Sequence, residues 1–186
     1  IDQGALNHTD DDHRRREYES AQQPPTHEGT AQRVPSSPVT ISQRRERLSH
    51  RLAAADLDAM LVTDLVNVRY LSGFTGSNAA LLVYADGRQA VLATDGRYRT
   101  QAVNQAPDVE VKIDRACALT LAHRATVHRV ERLGFESHVV TVDGYSALAG
   151  AVGDTELVRA AGTVEALREV KGAGEIALLR LACEAA

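Results

Sequence analysis

From residue 40 onward the spacing of apolar positions changes repeatedly, from three or four apart in some stretches to short unbroken or alternating runs in others. Thr40, followed three residues later by Gln43, fits a capping box, and Leu48, Leu52 and Ala55 then fall on one helical face. Residues 59–63 form a short apolar run of the kind that fills a buried strand. Two more such runs, 79–84 and 89–93, flank Ala85-Asp86-Gly87-Arg88, which predicts a hairpin turning at Asp-Gly. Further along, the pattern predicts a helix over 96–106 that stops before Pro107, a strand over 109–113 and a helix over 116–130. A strand over 132–136, a helix over 142–152 and a strand over 156–160 follow. This alternation predicts an α/β fold, a mixed sheet of about six strands with helices packed on it. The sequence contains no internal repeat.

The first forty residues are different. They hold eight apolar side chains and four of the five prolines, Pro24, Pro25, Pro35 and Pro38. A stretch this poor in apolar groups cannot offset the entropy of ordering itself, so residues 1–39 are expected to be a disordered leader or extension outside the functional domain. His8, Asp10, Asp11, Asp12 and His13 lie within it and read as a solvated acidic tail, because no scaffold fixes them for a metal.

Composition narrows the function. Of 186 residues, 44% are apolar and 25% charged, enough for one packed domain but not for two catalytic lobes. The net charge of −4, from 21 basic and 25 acidic side chains, gives no basic excess to hold nucleic acid. No apolar run is long enough to cross a bilayer, and the start of the chain lacks the pattern of a secretory signal. With two cysteines the chain is no disulfide-framed secreted scaffold, and a cytoplasmic location is expected.

Candidate chemistry is sparse. Gly73-Phe74-Thr75-Gly76 is a tight glycine turn rather than a dinucleotide fingerprint, and neither a phosphate loop nor a G-x-S-x-G elbow occurs. Cys117 and Cys183 sit in apolar helical stretches and read as buried, inert thiols. His123 and His128 are five apart, which keeps them off one helical face. Asp95 and Asp114 read as helix caps. Asp64, Asp95 and Glu136 make a nuclease-type metal site only if the fold gathers them. By residue pattern alone there is no catalytic constellation and no metal site.

Three stretches carry a resemblance. Asn67-Val68-Arg69-Tyr70-Leu71-Ser72-Gly73-Phe74-Thr75-Gly76-Ser77-Asn78 resembles the NxRYLxGFxGSN segment of proline-specific metallopeptidases. Thr94-Asp95-Gly96-Arg97-Tyr98 with Gln101-Ala102 matches their TDxRYxxQA segment. Val164-Glu165-Ala166-Leu167-Arg168-Glu169-Val170-Lys171, followed by Glu175-Ile176, is similar to the VExLRxxKxxxEI stretch that leads into their catalytic domain, and Gly134-Phe135-Glu136 falls between at a fitting place. The chain therefore resembles the creatinase, prolidase and aminopeptidase P family over residues 40–186.

The resemblance implies a creatinase N-terminal, ribonuclease H-like domain over 40–162, and over 163–186 a linker with the first helix of a following "pita-bread" catalytic domain. In such relatives two Asp, one His and two Glu of that second domain hold two divalent metals, manganese or cobalt. None of the five can be assigned to a residue here, so the chain alone is expected to have no catalytic residue, no metal ligand and no cofactor. The resemblance further implies a homo-oligomer, dimer or tetramer, that handles proline-containing peptides. It also implies a loop at Phe74, Ser77 and Asn78 that walls the active-site cleft. Two other readings remain open at this stage: a stand-alone, non-catalytic protein-interaction module, and a ribonuclease H-like nuclease, against which the missing basic face argues.

Overall fold

The computed structural model describes residues 40–185, so the leader and its His8–His13 cluster lie outside the described residues. The first helix, α1 (Ile41–Ala54), opens with the expected capping box: the Thr40 hydroxyl accepts from Gln43 N–H, and the Gln43 side chain accepts from Thr40 N–H. Leu48 and Leu52 are buried on its inner face, whereas Ala55 caps the helix at the surface rather than continuing that face.

Six strands follow, β1 (Ala59–Val62), β2 (Ala79–Tyr84), β3 (Val91–Thr94), β4 (Glu110–Ile113), β5 (Arg132–Phe135) and β6 (Glu156–Arg159). They form one mixed sheet in the order β4-β3-β2-β1-β5-β6. β1–β2 and β2–β3 are antiparallel, while β3–β4, β1–β5 and β5–β6 are parallel. The parallel pairs need crossovers, supplied by α3 (Arg99–Gln105), α4 (Cys117–Val127) and α5 (Val142–Ala151). The Asp86–Arg88 turn joins β2 to β3. Gly87 adopts φ 76°, and the Asp86 carboxylate takes hydrogen bonds from Arg88 N–H at 3.1 Å and Arg88 Nε at 2.8 Å.

Alternation along the strands feeds two cores. Met60, Val62, Leu81, Val83 and Leu92 face α1 and α3, while Ala59, Leu61, Ala80, Leu82, Val91 and Ala93 face α4 and α5. Each fully buried Leu contributes roughly 1.5–3 kcal/mol. The result is the expected helix-sheet-helix sandwich.

Three boundaries differ from the pattern reading. Residues Leu65–Ser72 form a helix, α2, in a stretch for which the apolar pattern predicted no element. The predicted helix over 96–106 is a single 3₁₀ turn (Gly96–Tyr98) followed by α3. Helix α4 stops at Val127 because Arg129 turns the chain at φ 56° and sends Val130 into the core. After β6 come a five-residue helix, α6 (Glu165–Glu169), and a longer one, α7 (Ala173–Glu184). Val164 and Leu167 belong to the same core as Leu48 and Leu52, so the start of the segment expected to be a linker packs on the domain. Cys117 is buried as expected, and burial pushes its thiol pKa up. Cys183, by contrast, is exposed, because α7 lies on the surface with Leu178 and Leu181 in solvent.

Candidate functional site

The matched stretches, far apart in sequence, meet in space at two adjoining places. The first is the loop after α2. Asp64 starts that helix by accepting from Val66 N–H at 2.7 Å, and Gly73 ends it in the left-handed region at φ 79°. The chain then drops Phe74 into the core, where it is 1% exposed and meets the Tyr98 ring edge-on at 5.7 Å. Gly76 must lie flat against that ring, since a Cβ there would come within 2.2 Å of Phe74 Cζ. Thr75 N–H donates to Gln105 Oε1 at 2.9 Å, and Gln101 Nε2 donates to the Thr75 hydroxyl at 3.0 Å.

On this scaffold Ser77 is exposed and Asn78 half-buried. The Ser77 and Tyr98 hydroxyls lie 2.8 Å apart, a hydrogen bond that lowers the Tyr98 pKa. Asn78 Nδ2 donates to Asp95 Oδ2 at 3.0 Å and to the Arg115 carbonyl at 3.3 Å. Arg97 closes a fork on the same carboxylate, Nε to Oδ1 at 2.9 Å and Nη2 to Oδ2 at 2.8 Å, and Arg97 N–H also donates to Oδ1. Asp95 thus caps the 3₁₀ turn as expected and also fastens the loop. Asp114 accepts from Ala116 N–H at 2.9 Å, just ahead of α4.

The hydrogen bonds from Arg97, then from Asn78, hold the Asp95 carboxyl well below its ordinary value of 3.8. A depressed carboxyl stabilises the fold above the unfolded value and loses that contribution as pH falls through the lower, folded value. The difference in melting temperature between the wild type and Asp95→Asn should therefore be largest near neutrality and shrink as pH falls from about 5 to about 2. A difference that holds constant over that range would show that the Asp95 charge is not what matters.

The second place lies at the ends of β1 and β5, and pattern reading missed it. Glu136 is wholly buried and accepts four hydrogen bonds. Its Oε2 takes them from Thr63 N–H (2.6 Å), the Thr63 hydroxyl (3.2 Å) and Asp64 N–H (2.7 Å), and its Oε1 from Asn67 Nδ2 (2.7 Å). Asn67 Nδ2 also donates to Glu165 Oε1 at 2.5 Å, and Asn67 Oδ1 accepts from Arg168 Nη1 at 2.9 Å. His138 Nε2 lies 3.3 Å from Glu165 Oε1. Burial works to raise the Glu165 pKa, but hydrogen bonds from Asn67, its own backbone N–H and His138 outweigh it and hold the carboxyl below its usual range. Tyr70 OH donates to the Leu167 carbonyl at 3.3 Å, and Arg44 stacks on the Tyr70 ring at 4.3 Å. One signal for this site was present in the sequence: Asn67, Glu136 and Glu165 each belong to a matched segment.

The carboxylates of both places are engaged in hydrogen bonds within the fold. Among the described residues no three His, Cys, Asp or Glu side chains gather to hold a metal, so the residues present do not fit a dimetal site. Glu136 is engaged with Asp64 and Asn67, whereas Asp95 is bound to Asn78 and Arg97 on a different loop; the three carboxylates of the nuclease reading do not form one site. Among the described residues no helix is long and apolar enough to cross a membrane.

The chain is similar to known proteins. The family model described as "Creatinase/Prolidase N-terminal domain" matches residues 44–170. A Bacillus subtilis (strain 168) protein, "Uncharacterized peptidase YqhT", is 37% identical over 143 residues, which cover 76% of this chain and 40% of that relative. The chain thus spans about two fifths of that relative's length, the 40% just given. The crystal structure of the N-terminal domain of the cytoplasmic peptidase PepQ from Mycobacterium tuberculosis H37Rv is similar with 67% identity and a TM-score of 0.66, over 67% of this chain and 97% of that one. The Xaa-Pro dipeptidase from Bacillus anthracis is similar with 31% identity and a TM-score of 0.68, over 74% of this chain and 38% of that one.

Proposed function

Because the chain belongs to the creatinase/prolidase N-terminal domain family, we propose that it is the non-catalytic part of a dimetal Xaa-Pro peptidase. In this reading it contributes subunit assembly and one wall of the active-site cleft. The observation that carries the reading is the near-complete overlap with a separately solved N-terminal domain of a peptidase. The parent hydrolyses peptide bonds that precede proline, and the two divalent metals, manganese or cobalt, belong to its following domain. The description of the Mycobacterium relative as cytoplasmic supports the same location here.

Two surface features support the assigned roles. Ser77 stands exposed on a loop whose backbone is fixed by Phe74 and Gly76, which suits a cleft wall needing one placed hydroxyl beside an aromatic ring. Asn78 positions that loop through Asp95, and Phe74 acts from within the core. For assembly, Leu119, Val139, Val142 and Tyr145 are exposed around shallow apolar grooves that share Val140 and Thr141. A homodimer or homotetramer would cover them.

The test is kinetic. With Mn²⁺ or Co²⁺ the 186-residue chain should hydrolyse no Xaa-Pro peptide, whereas the full-length parent should. In the parent, Ser77→Ala should lower kcat/KM roughly 2- to 13-fold, the worth of one neutral hydrogen bond, at unchanged melting temperature. Turnover by the isolated chain would overturn the non-catalytic reading, and unchanged kcat/KM in Ser77→Ala would overturn the cleft-wall role.

A further inference from the structure

Helix α6 has only five residues, far too few to persist on its own hydrogen bonds. Four ties from the domain hold it, one of them the 3.3 Å contact of His138 Nε2 with Glu165 Oε1. Glu165 and Arg168 both bond the Asn67 side chain, one at each end of its amide, and the Leu167 carbonyl takes the Tyr70 hydroxyl. Asn67 is itself anchored to Glu136 inside the fold. Val164 and Leu167 are buried beneath these contacts.

The ties then stop. Val170 is extended (φ −87°, ψ 106°) and 70% exposed, and Lys171 turns back to the Arg168 carbonyl within its own segment. Gly172 opens α7, its N–H donating to Glu175 Oε2 at 2.8 Å. The next side-chain bond to the sheet domain is the Arg44–Glu175 ion pair at 3.3 Å, partly open to water and so the weaker restraint.

We propose that the Asn67-centred cluster is a latch. It makes residues 164–169 a rigid extension of the domain and confines bending between the domain and the chain beyond it to Val170–Gly172. The Arg44–Glu175 pair is a separate, weaker clasp that closes this hinge. The sequence places a β-branched residue, a lysine and a glycine at the bend, where no side chain reaches the domain core. The proposal rests on contacts within this chain and is independent of the peptidase reading.

Hydrogen exchange on the 186-residue chain, read by mass spectrometry, tests it. In the wild type the Leu167 and Arg168 amides should exchange slowly, near the rate of the surrounding domain, and α7 faster. Glu165→Ala combined with Arg168→Ala should speed exchange over 164–169 about ten- to a hundredfold while β1 and β5 stay protected. Arg168→Ala alone, which leaves every Glu136 bond in place, should give the same local pattern more weakly. Arg44→Ala should speed exchange in α7 only. Fast exchange over 164–169 in the wild type would overturn the latch. So would loss of protection in β1 and β5 together with that segment in both latch variants, or release of 164–169 by Arg44→Ala.

Discussion

Glu136→Ala is expected to lower the unfolding free energy by about 3–5 kcal/mol in a urea titration. The substitution leaves Thr63 N–H, Asp64 N–H and Asn67 Nδ2 without their acceptor in a place that water does not reach. Each orphaned donor costs about 1–3 kcal/mol, and the cavity adds to it. Glu136→Gln should be milder, about 1.5–3 kcal/mol, because its shape fits but one side of its amide must donate. That NH₂ meets either two backbone N–H groups or the Asn67 NH₂, and Asn67 cannot flip to oblige because its oxygen serves Arg168. A Glu136→Ala variant within about 1 kcal/mol of the wild type would mean that water had replaced the carboxylate at all of these donors.

Phe74→Ala should cost about 3–5 kcal/mol by emptying a buried aromatic site next to Tyr98. Gly76→Ala should cost about 2–3 kcal/mol for the opposite reason, since its Cβ would enter the Phe74 ring. The informative measurement is the double variant. With the ring gone, the nearest atom to a Cβ at position 76 is Tyr98 Cγ at 3.1 Å, and the further cost of Gly76→Ala should fall below about 1 kcal/mol. Additive losses would place the origin of the Gly76 requirement in the backbone rather than in the ring.

Most of the architecture was legible because strand alternation and helix spacing agree with it. All six strands lie within two residues of where apolar runs placed them, since each run serves one or both of the two cores. Helix α2 was not legible. It is eight residues long, carries Val66 and Val68, and reads locally as a loop beside a glycine turn. Its Asp64 cap and Gly73 stop were visible but are common in turns as well. The loop at Gly73–Asn78 could be singled out by resemblance, yet sequence could not show that Phe74 is committed to the core. The Glu136 site was hidden for a different reason. Its partners Thr63, Asn67, Glu165 and Arg168 are brought together by pairing of β1 with β5 and by the fold-back of α6, contacts that span up to 101 positions.

The place of β1 in the sheet has a consequence for how the chain is made. Its β2 side can be satisfied early, by residues 79–84, but its other side must wait for Leu133, Gly134 and Phe135. Until those residues leave the ribosome, Ala59–Val62 is an apolar strand with one row of N–H and C=O groups unpaired, an edge that can join any other strand it meets. A nascent or prematurely ended chain that stops short of Phe135 therefore presents an aggregation template, and completing β5 removes it.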